Sequence, residues 1–354
     1  MKAVEEIVAF SHSVQEIDGV KVHSFKYNLN IEGMWDEDHH LNMRGITFVN
    51  EKVVALPFAK FFNVGQTEET QNLDLSNPQS IYQKMDGSLI SFFFYDEYKI
   101  TLKTMKSIES DVALDCNNYV IKHRPDIMGY VTRLLSFNYS PMFEYVSQKS
   151  RIVINYGESD LYYLGSRNME TGEIVLPHDD HEINNGRSES IKLPRLLKQE
   201  DLEEFLERDD EEGVVITLKN GMMVKMKTDT YCALHRIITE ISPKRIFENI
   251  LEDKLDDAKG LLYQHGLGDD IKQLETVEKY YQKRFAEISK IATDLHEEHK
   301  HLERKEIAIK LFQSKELKCY APMVMKLLDD RSTTDLVNKH IFPEFKEKCL
   351  EDFM

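Results

Sequence analysis

Short apolar runs, each about the length of one strand, recur in this chain up to about Lys227 and then stop. They are Gly45–Val49, Lys52–Pro57, Leu89–Tyr95, Lys99–Thr104, Met142–Val146, Ile152–Ile154, Leu161–Ser166, Gly213–Leu218 and Met222–Met226, and Gly, Asn, Asp and Pro punctuate them. Runs of this kind build a mixed, mostly antiparallel sheet. Two intervening stretches, Ser110–His123 and Leu193–Arg208, carry apolar residues at helical spacing and predict helices. After Ser242-Pro243 the texture changes: Leu, Ile, Lys and Glu recur at helical spacing, with only three Gly and three Pro in 243–354. Pro243 reads as a helix start, and Gly260, Gly266 and Gly268 read as stops. Ile271–His301 predicts one or two long helices, and Lys305–Lys326 another that is interrupted at Pro322. The expected fold class is α+β, with antiparallel sheets and helices over residues 1–242 and an all-α domain over 243–354.

Composition narrows the classes of function. With 354 residues, 41% of them hydrophobic, the chain can bury a core in each of two domains. Its net charge of −17 argues against nonspecific nucleic-acid binding, which relies on phosphate contacts. Residues 243–354 hold 20 Lys and Arg against 23 Asp and Glu, so −14 of that charge sits on the first part. An enzyme acting on nucleic acid would need a local basic groove on an acidic body. No run of 18 apolar residues exists, so no membrane span is expected. Met1–Glu6 opens no long apolar stretch, so no signal peptide is expected. Cys116, Cys232, Cys319 and Cys349 form no CxxC pair and read as reduced thiols. His296-Glu297-Glu298-His299-Lys300 misses the zinc motif HExxH by placing Lys300 where the second His belongs. His178-Asp179-Asp180-His181 lies in a polar stretch and reads as a solvated loop, and Trp35 reads as packing. Neither a P-loop nor a G-x-S-x-G elbow occurs.

Chemistry concentrates around Gln83-Lys84-Met85-Asp86-Gly87-Ser88. Lys84 ends one apolar stretch just before another begins, so it should project from a sheet edge into a cleft. Asp86-Gly87 supplies a tight turn, and the missing Cβ lets backbone approach a ligand. A lysine is a nucleophile only when neutral, which calls for burial or neighbouring cations. Lys225 and Lys227, two apart on a strand, supply such cations on one face. Glu144 interrupts the apolar run around Phe143 and Tyr145, and Glu212 heads the run Gly213–Ile216. Charges in segments that should be buried point at a ligand, a metal or each other.

In this order, Lys84-x-Asp86-Gly87, Glu144, Glu212-Gly213-Val214-Val215-Ile216 and Val224-Lys225-Met226-Lys227 resemble the covalent nucleotidyltransferases. Arg44-Gly45-Ile46, Pro57–Asn63 and Lys225–Tyr231 narrow the resemblance to the phage-type RNA ligase 1 family, over about residues 25–240. It implies an ATP-grasp-like nucleotidyltransferase domain over 1–242, with ATP as cofactor and Mg²⁺ or Mn²⁺. Lys84 would take AMP from ATP as a lysyl phosphoramidate and pass it to an RNA 5′-phosphate. A 3′-hydroxyl would then displace AMP. By the same resemblance, Gly87 lies close to the nucleotide, Arg44 reaches its ribose side and the RNA end, and Lys60 binds phosphate. Phe62 lies beside the nucleotide, and Tyr27, before Asn28-Leu29, lies near the phosphates. Glu144 contacts ribose or metal, Glu212 positions metal, and Lys225 and Lys227 sit on the α-phosphate and leaving group. Lys103, or else Lys106, contacts a further phosphate. Tyr231 matches a family position, and His235 is not expected to act. The helical tail, read as lacking the β-barrel that follows in DNA ligases and capping enzymes, would grip structured RNA. In that family the RNA is a tRNA broken in its anticodon loop. A monomer is expected, in the cytoplasm, that of the host if the chain is phage-encoded. Retaining Lys84, Glu144, Glu212, Lys225 and Lys227 together argues against an inactive RNA-binding module.

Overall fold

The computed structural model describes residues 10–27, 35, 38–239, 241–251, 255–329 and 331–353. Met1–Glu6 and Asn28-Leu29, named in the sequence readings, lie outside the described residues. No described helix is long and apolar enough to cross a membrane.

A first sheet has the order β1 (Phe10–Ile17), β2 (Val20–Tyr27), β3 (Arg44–Val49), β4 (Lys52–Ala55), all antiparallel. Its first two strands are absent from the apolar runs. Val22 and Phe25 are buried in different clusters, and His23 and Ser24 break the run between them. The chain continues through β5 (Phe62–Asn63), β6 (Ser80–Lys84), β7 (Ser88–Phe94) and β8 (Ile100–Lys103). Helices α1 (Asp111–His123) and α2 (Ile127–Ser136) follow. Ser110 caps α1 by accepting from the Ala113 N–H, so the helix starts where its apolar spacing starts. Next come β9 (Tyr139–Val146), β10 (Asp160–Asn168), β11 (Ile174–Val175), the short α3 (Leu202–Leu206), β12 (Gly213–Thr217) and β13 (Met223–Lys227).

The second sheet runs β11-β10-β9-β7-β8, and α1 and α2 cover it. Ile90, Phe92, Phe143 and Tyr163 meet Cys116, Val131 and Leu134 in that layer, all essentially inaccessible. The third sheet runs β5-β13-β12-β6, antiparallel except for the β5/β13 pair. Its core packs Ile81, Val214, Ile216 and Val224 on Leu202 and Phe205 of α3. β6 belongs to the third sheet and β7 to the second, so residues 85–87 carry the chain from one sheet to the other. The Asp86-Gly87 turn is therefore a crossing between sheets and not a hairpin.

Two stretches depart from their predicted state. Ile152–Ile154 is not a strand; the amides of Val153 and Ile154 turn onto the Asp86 carboxylate. Within Leu193–Arg208 only α3 and the preceding turn, Gln199–Asp201, are helical. Pro194 disfavours helix at the residue before it. The following backbone covers β6 instead: the Gln83 N–H donates to the Arg195 carbonyl, and the Leu197 N–H to that of Ile81.

The described chain divides into two compact units between Cys232 and Ala233, inside α4 (Asp229–Thr239), and not at Ser242-Pro243. The second unit is helical: α5 (Pro243–Leu251), α6 (Leu255–Gln264), α7 (Gly268–His299), α8 (Arg304–Gln313), α9 (Ala321–Leu327) and α10 (Thr334–Glu347). Ile271–His301 is thus mostly one helix, whose first residue is Gly268. Gly260 lies inside α6, and Gly266, at φ +66°, follows its end. Pro322 sits in the first turn of α9, where a missing N–H costs nothing, so it starts a helix and does not interrupt one. Phe247, Tyr281 and Phe345 pack edge-to-face and tilted where α5, α7 and α10 meet.

Truncating Leu134 removes a fully buried side chain from the layer between α2 and the second sheet. Leu134→Ala should destabilise the protein by about 2–5 kcal/mol. Urea unfolding followed by circular dichroism checks this through a lower midpoint at unchanged slope.

Candidate active site

Three strands of the third sheet place the central charges. Lys84 on β6 is opposite Gly213 on β12, and Gly213 is opposite Lys227 on β13. Glu212, the residue before Gly213, therefore lies between two lysines. Lys84 Nζ donates to its Oε2 at 2.6 Å, and Lys227 Nζ lies 2.9 Å from its Oε1. Glu212 is 3% exposed, while each lysine keeps about a quarter of its side chain open. Both oxygens of this buried carboxylate are held by cations, the arrangement in which a buried charge is tolerated.

A cavity of about 490 Å³ opens beside this pair. Arg44, Lys84, Lys106, Lys225 and Lys227 line it, and among the described residues Glu144 is the one lining carboxylate. The local balance is strongly positive on a chain whose net charge is −17. Phe58, Tyr82, Leu164, Leu176 and Met223, from one apolar cluster, form the rest of the wall with Phe61 and others. Arg44 and Lys225 both sit over the Phe61 ring, at 5.1 and 5.7 Å from its centroid. The ring faces two cations that would otherwise meet each other. Burial lowers the Lys225 ammonium to about 8, aided by repulsion from Lys60, Lys84, Arg44 and Lys227. Burial also lowers Arg44. Sequence reading assigned Lys225 and Lys227 to ease deprotonation of Lys84; in the structure Lys84 is ion-paired with Glu212, and the charge crowding falls on Lys225.

Glu144, on β9, is opposite Leu89 of β7. Its side chain keeps some surface toward the cavity but is otherwise enclosed by protein. Burial pushes its carboxyl up to about 7, against the opposing pull of Lys84 and Arg44. Its neighbour Gly87 has a different reason to be glycine from the one predicted. A Cβ there would lie 2.4 Å from the Tyr145 carbonyl oxygen and 3.1 Å from Glu144 Cγ. The close approach is thus to β9, and it brings the Lys84 crossing against Glu144.

Asp86 fixes that crossing from inside. Its Oδ2 accepts from the Val153 and Ile154 amides at 2.8 Å each, and its Oδ1 from the Tyr231 hydroxyl at 2.7 Å. Its own N–H donates to the Tyr156 hydroxyl at 2.8 Å. The Tyr231 ring lies 4.5 Å from Lys227 Nζ, so one tyrosine touches both the crossing and β13. Burial raises the Tyr231 hydroxyl well above its ordinary value, keeping it a donor. Sequence reading gave Asp86 only a turn; its signal was an acidic residue in a segment bounded by two strands. Tyr156 carried no such signal.

Other predicted residues lie apart from the lining. Lys60 Nζ is 3.4 Å from the Tyr27 hydroxyl and stands over the rings of Tyr27, Trp35 and Phe62 at 4.7, 5.6 and 5.6 Å. Trp35 is therefore more than packing: it completes an aromatic set around this ammonium. Phe61, and not Phe62, lines the cavity. Lys103 departs from expectation most clearly. It is 1% exposed and does not line the cavity, whereas Lys106 does. His235 falls in the second unit, on α4. The His178–His181 loop supplies a ring nitrogen 3.1 Å from the Tyr82 hydroxyl, so it supports the cavity wall. Among the described residues, no group of three or more His, Cys, Asp and Glu is placed to hold a metal ion.

The site is a lysine-rich cavity in an α+β protein, with Lys84 at the end of β6 and a carboxylate shared by two lysines behind it. Residues 42–231 match the family model for RNA ligase, and the chain belongs to that family. It is 27% identical over 276 residues to a provisionally named RNA ligase of Thermovibrio ammonificans, covering 72% of this chain and 70% of that one. It is 25% identical over 305 residues to the RNA ligase of Rhodothermus phage RM378, covering 67% and 69%. Among solved structures, it is similar to an archaeal ATP-dependent RNA ligase at a TM-score of 0.46 and 10% identity, over 81% of this chain and 78% of that one.

The raised Glu144 carboxyl has a thermodynamic consequence. The folded protein keeps this proton up to about pH 7, whereas the unfolded chain releases it near 4.5. Between those values the folded state binds more protons, so this group's contribution to stability falls as pH rises through the window. Glu144→Gln does not titrate. Its melting temperature relative to wild type should therefore rise between pH 4.5 and 7 and level off above. Thermal unfolding of both proteins across pH 4–8 checks this, and a difference that is flat with pH would reject the assignment.

Proposed function

We propose that this RNA ligase is ATP-dependent and joins RNA 5′-phosphate and 3′-hydroxyl ends through two adenylylated intermediates. The carrying observation is the Lys84–Glu212–Lys227 constellation, with both lysines lining the cationic cavity and Glu212 behind them. In the first step Lys84 Nζ attacks the α-phosphorus of ATP. The N–P bond forms, the P–O bond to pyrophosphate breaks, and the Nζ ammonium gives up two protons, one before attack and one as the N–P bond forms. Glu212 Oε2, 2.6 Å away, is within reach of the first, and the second passes to pyrophosphate or water. In the second step an oxygen of the RNA 5′-phosphate attacks the same phosphorus, the N–P bond breaks, and AMP moves to the RNA. In the third, the 3′-hydroxyl attacks the RNA 5′-phosphorus and AMP leaves.

Lys225 and Lys227 act by placing fixed positive charge where the transferring phosphoryl group gathers negative charge. The cavity volume lies within the range of small-molecule sites. Its apolar wall suits a base, and its cations suit phosphates. Gly87, Arg44 and Glu144 stand against the nucleotide, with Phe62 beside it and Lys60 and Tyr27 toward the phosphates. Glu144 fits as one oxygen ligand of Mg²⁺ or Mn²⁺, since its carboxylate has no side-chain hydrogen-bond donor among the described residues. Glu212 fits less well, because both its oxygens hold lysines. A metal bound here would take its remaining ligands from nucleotide oxygens and water, and would supply further neutralisation of phosphate charge. The physiological substrate is a tRNA cleaved in its anticodon loop, gripped by the helical residues 243–354, and the chain acts as a monomer.

Incubation with α-labelled ATP should label the wild-type chain. Lys84→Ala should lose the label completely, and Lys227→Ala should reduce it by at least about 100-fold, the scale of removing one preorganised charge. An undiminished adduct in Lys84→Ala would sink the assignment. Sealing of nicked tRNA should exceed that of linear RNA of equal length, and equal rates would remove the tRNA part alone.

A further inference from the structure

Lys103 ends β8 with its ammonium inside the protein. Nζ donates to Thr47 Oγ1 at 2.7 Å, to Ser24 Oγ at 3.0 Å and to the Gly45 carbonyl at 3.0 Å. No carboxylate pairs with it among the described residues. Ser24 and Thr47 are themselves buried and lie 3.2 Å apart, and the Thr47 hydroxyl also reaches the Gly45 carbonyl at 2.9 Å. Burial lowers this ammonium to about 7. An enclosed cation without a counter-ion is expensive, and a methionine could fill the same volume, so packing does not explain it.

Its contacts show what it holds. Ser24, Gly45 and Thr47 belong to the first sheet, and Lys103 to the second, so the ammonium ties two sheets together. Gly45 follows Arg44, whose guanidinium lines the cavity. The three residues after Lys103, Thr104 to Lys106, line the cavity as well. The two segments touch: a Cβ on Gly45, whose φ is +102°, would lie 3.0 Å from the Met105 carbonyl oxygen. Lys103 therefore stands where two walls of the cavity join. Reaching a phosphate would require it to leave three hydrogen bonds.

We propose that Lys103 is a positioning residue for the ligase reaction, acting through Arg44 by pinning the Gly45 carbonyl and locking that wall to the 104–106 wall. This rests on the ligase reading above, which the wild-type ATP adduct decides by itself. The test is a double-mutant cycle on the full chain, with kcat and KM for ATP measured in adduct formation. Lys103→Met should lower the rate on the order of 10–100-fold, the scale of a misplaced group. It should do so in the same parameter, kcat or KM, that Arg44→Ala affects. In the double variant the two losses should fail to multiply, leaving it near Arg44→Ala alone. Losses that multiply, or a Lys103→Met defect confined to KM while that of Arg44→Ala is in kcat, would overturn the proposal. Thr47→Val keeps the size of the side chain and removes the shortest contact, so it covers the case in which Lys103→Met does not fold. It should show a smaller loss, again absent on the Arg44→Ala background; a wild-type rate for Thr47→Val would overturn the proposal equally.

Discussion

One buried carboxylate organises the active-site region. Glu212 has almost no surface, yet it carries a charge, so the fold must bring cations to it. The register does this. Pairing Gly213 with Lys84 on one side and Lys227 on the other makes the third sheet deliver two ammonium groups to one carboxylate. A slip of either strand by one residue would turn its lysine to the opposite face and leave the charge unpaired. Stability of the sheet and placement of the candidate nucleophile are thus the same requirement.

The crossing after Lys84 extends that requirement to the second sheet. Asp86 is sealed by two amides and two tyrosines, and Gly87 lies too close to β9 for any side chain. Lys84 is consequently held at a junction between rigid elements and not on a free loop. Positive charge then accumulates at the same junction, where Arg44 and Lys225 share the Phe61 ring. Lysines crowded this closely repel one another, and a bound polyphosphate would relieve that repulsion. An acidic chain can handle anionic substrates because the field at a partly enclosed site is set by its lining, and this lining is cationic.

Much of this was readable from residue order because charges inside apolar strands are costly and therefore informative. Lys84, Glu144, Glu212, Lys225 and Lys227 each broke an otherwise apolar run, and the fold places all five at the cavity or directly behind it. What escaped reading depended on register or on tertiary partners. Lys103 and Lys106 differ by three positions; the pairing of β7 with β8 fixes Lys103 at the end of a strand, while Lys106 lies in the following turn at the cavity, a difference that residue order does not show. Ile152–Ile154 has strand composition, but its amides are needed by Asp86, which is distant in sequence. Leu193–Arg208 has helical spacing, but Pro194 and the uncovered side of β6 claim its first half. β1 and β2 were missed because a sheet buried unevenly on its two faces shows no clean alternation.

Lys103 and Glu212 are opposite solutions to the same problem. Glu212 is a buried charge neutralised by partners, and its partners are the two candidate catalytic lysines. Lys103 is a buried charge solvated only by hydroxyls and a carbonyl, and its partners are walls. A methionine of that length could donate no hydrogen bond, so it could not hold these three oxygens from two adjacent strands. Its hydrogen bonds add rigidity at a seam where the first sheet, which carries Arg44, meets the segment that carries Lys106; Ser13 of β1, whose hydroxyl donates to the Lys106 carbonyl at 3.1 Å, is a second tie there. A seam of this kind matters most when the site fills with phosphate, because every cation lining it is pulled toward the same charge. An arginine free to follow that pull would stabilise the bound nucleotide and the transition state alike; an arginine held in place can favour the latter.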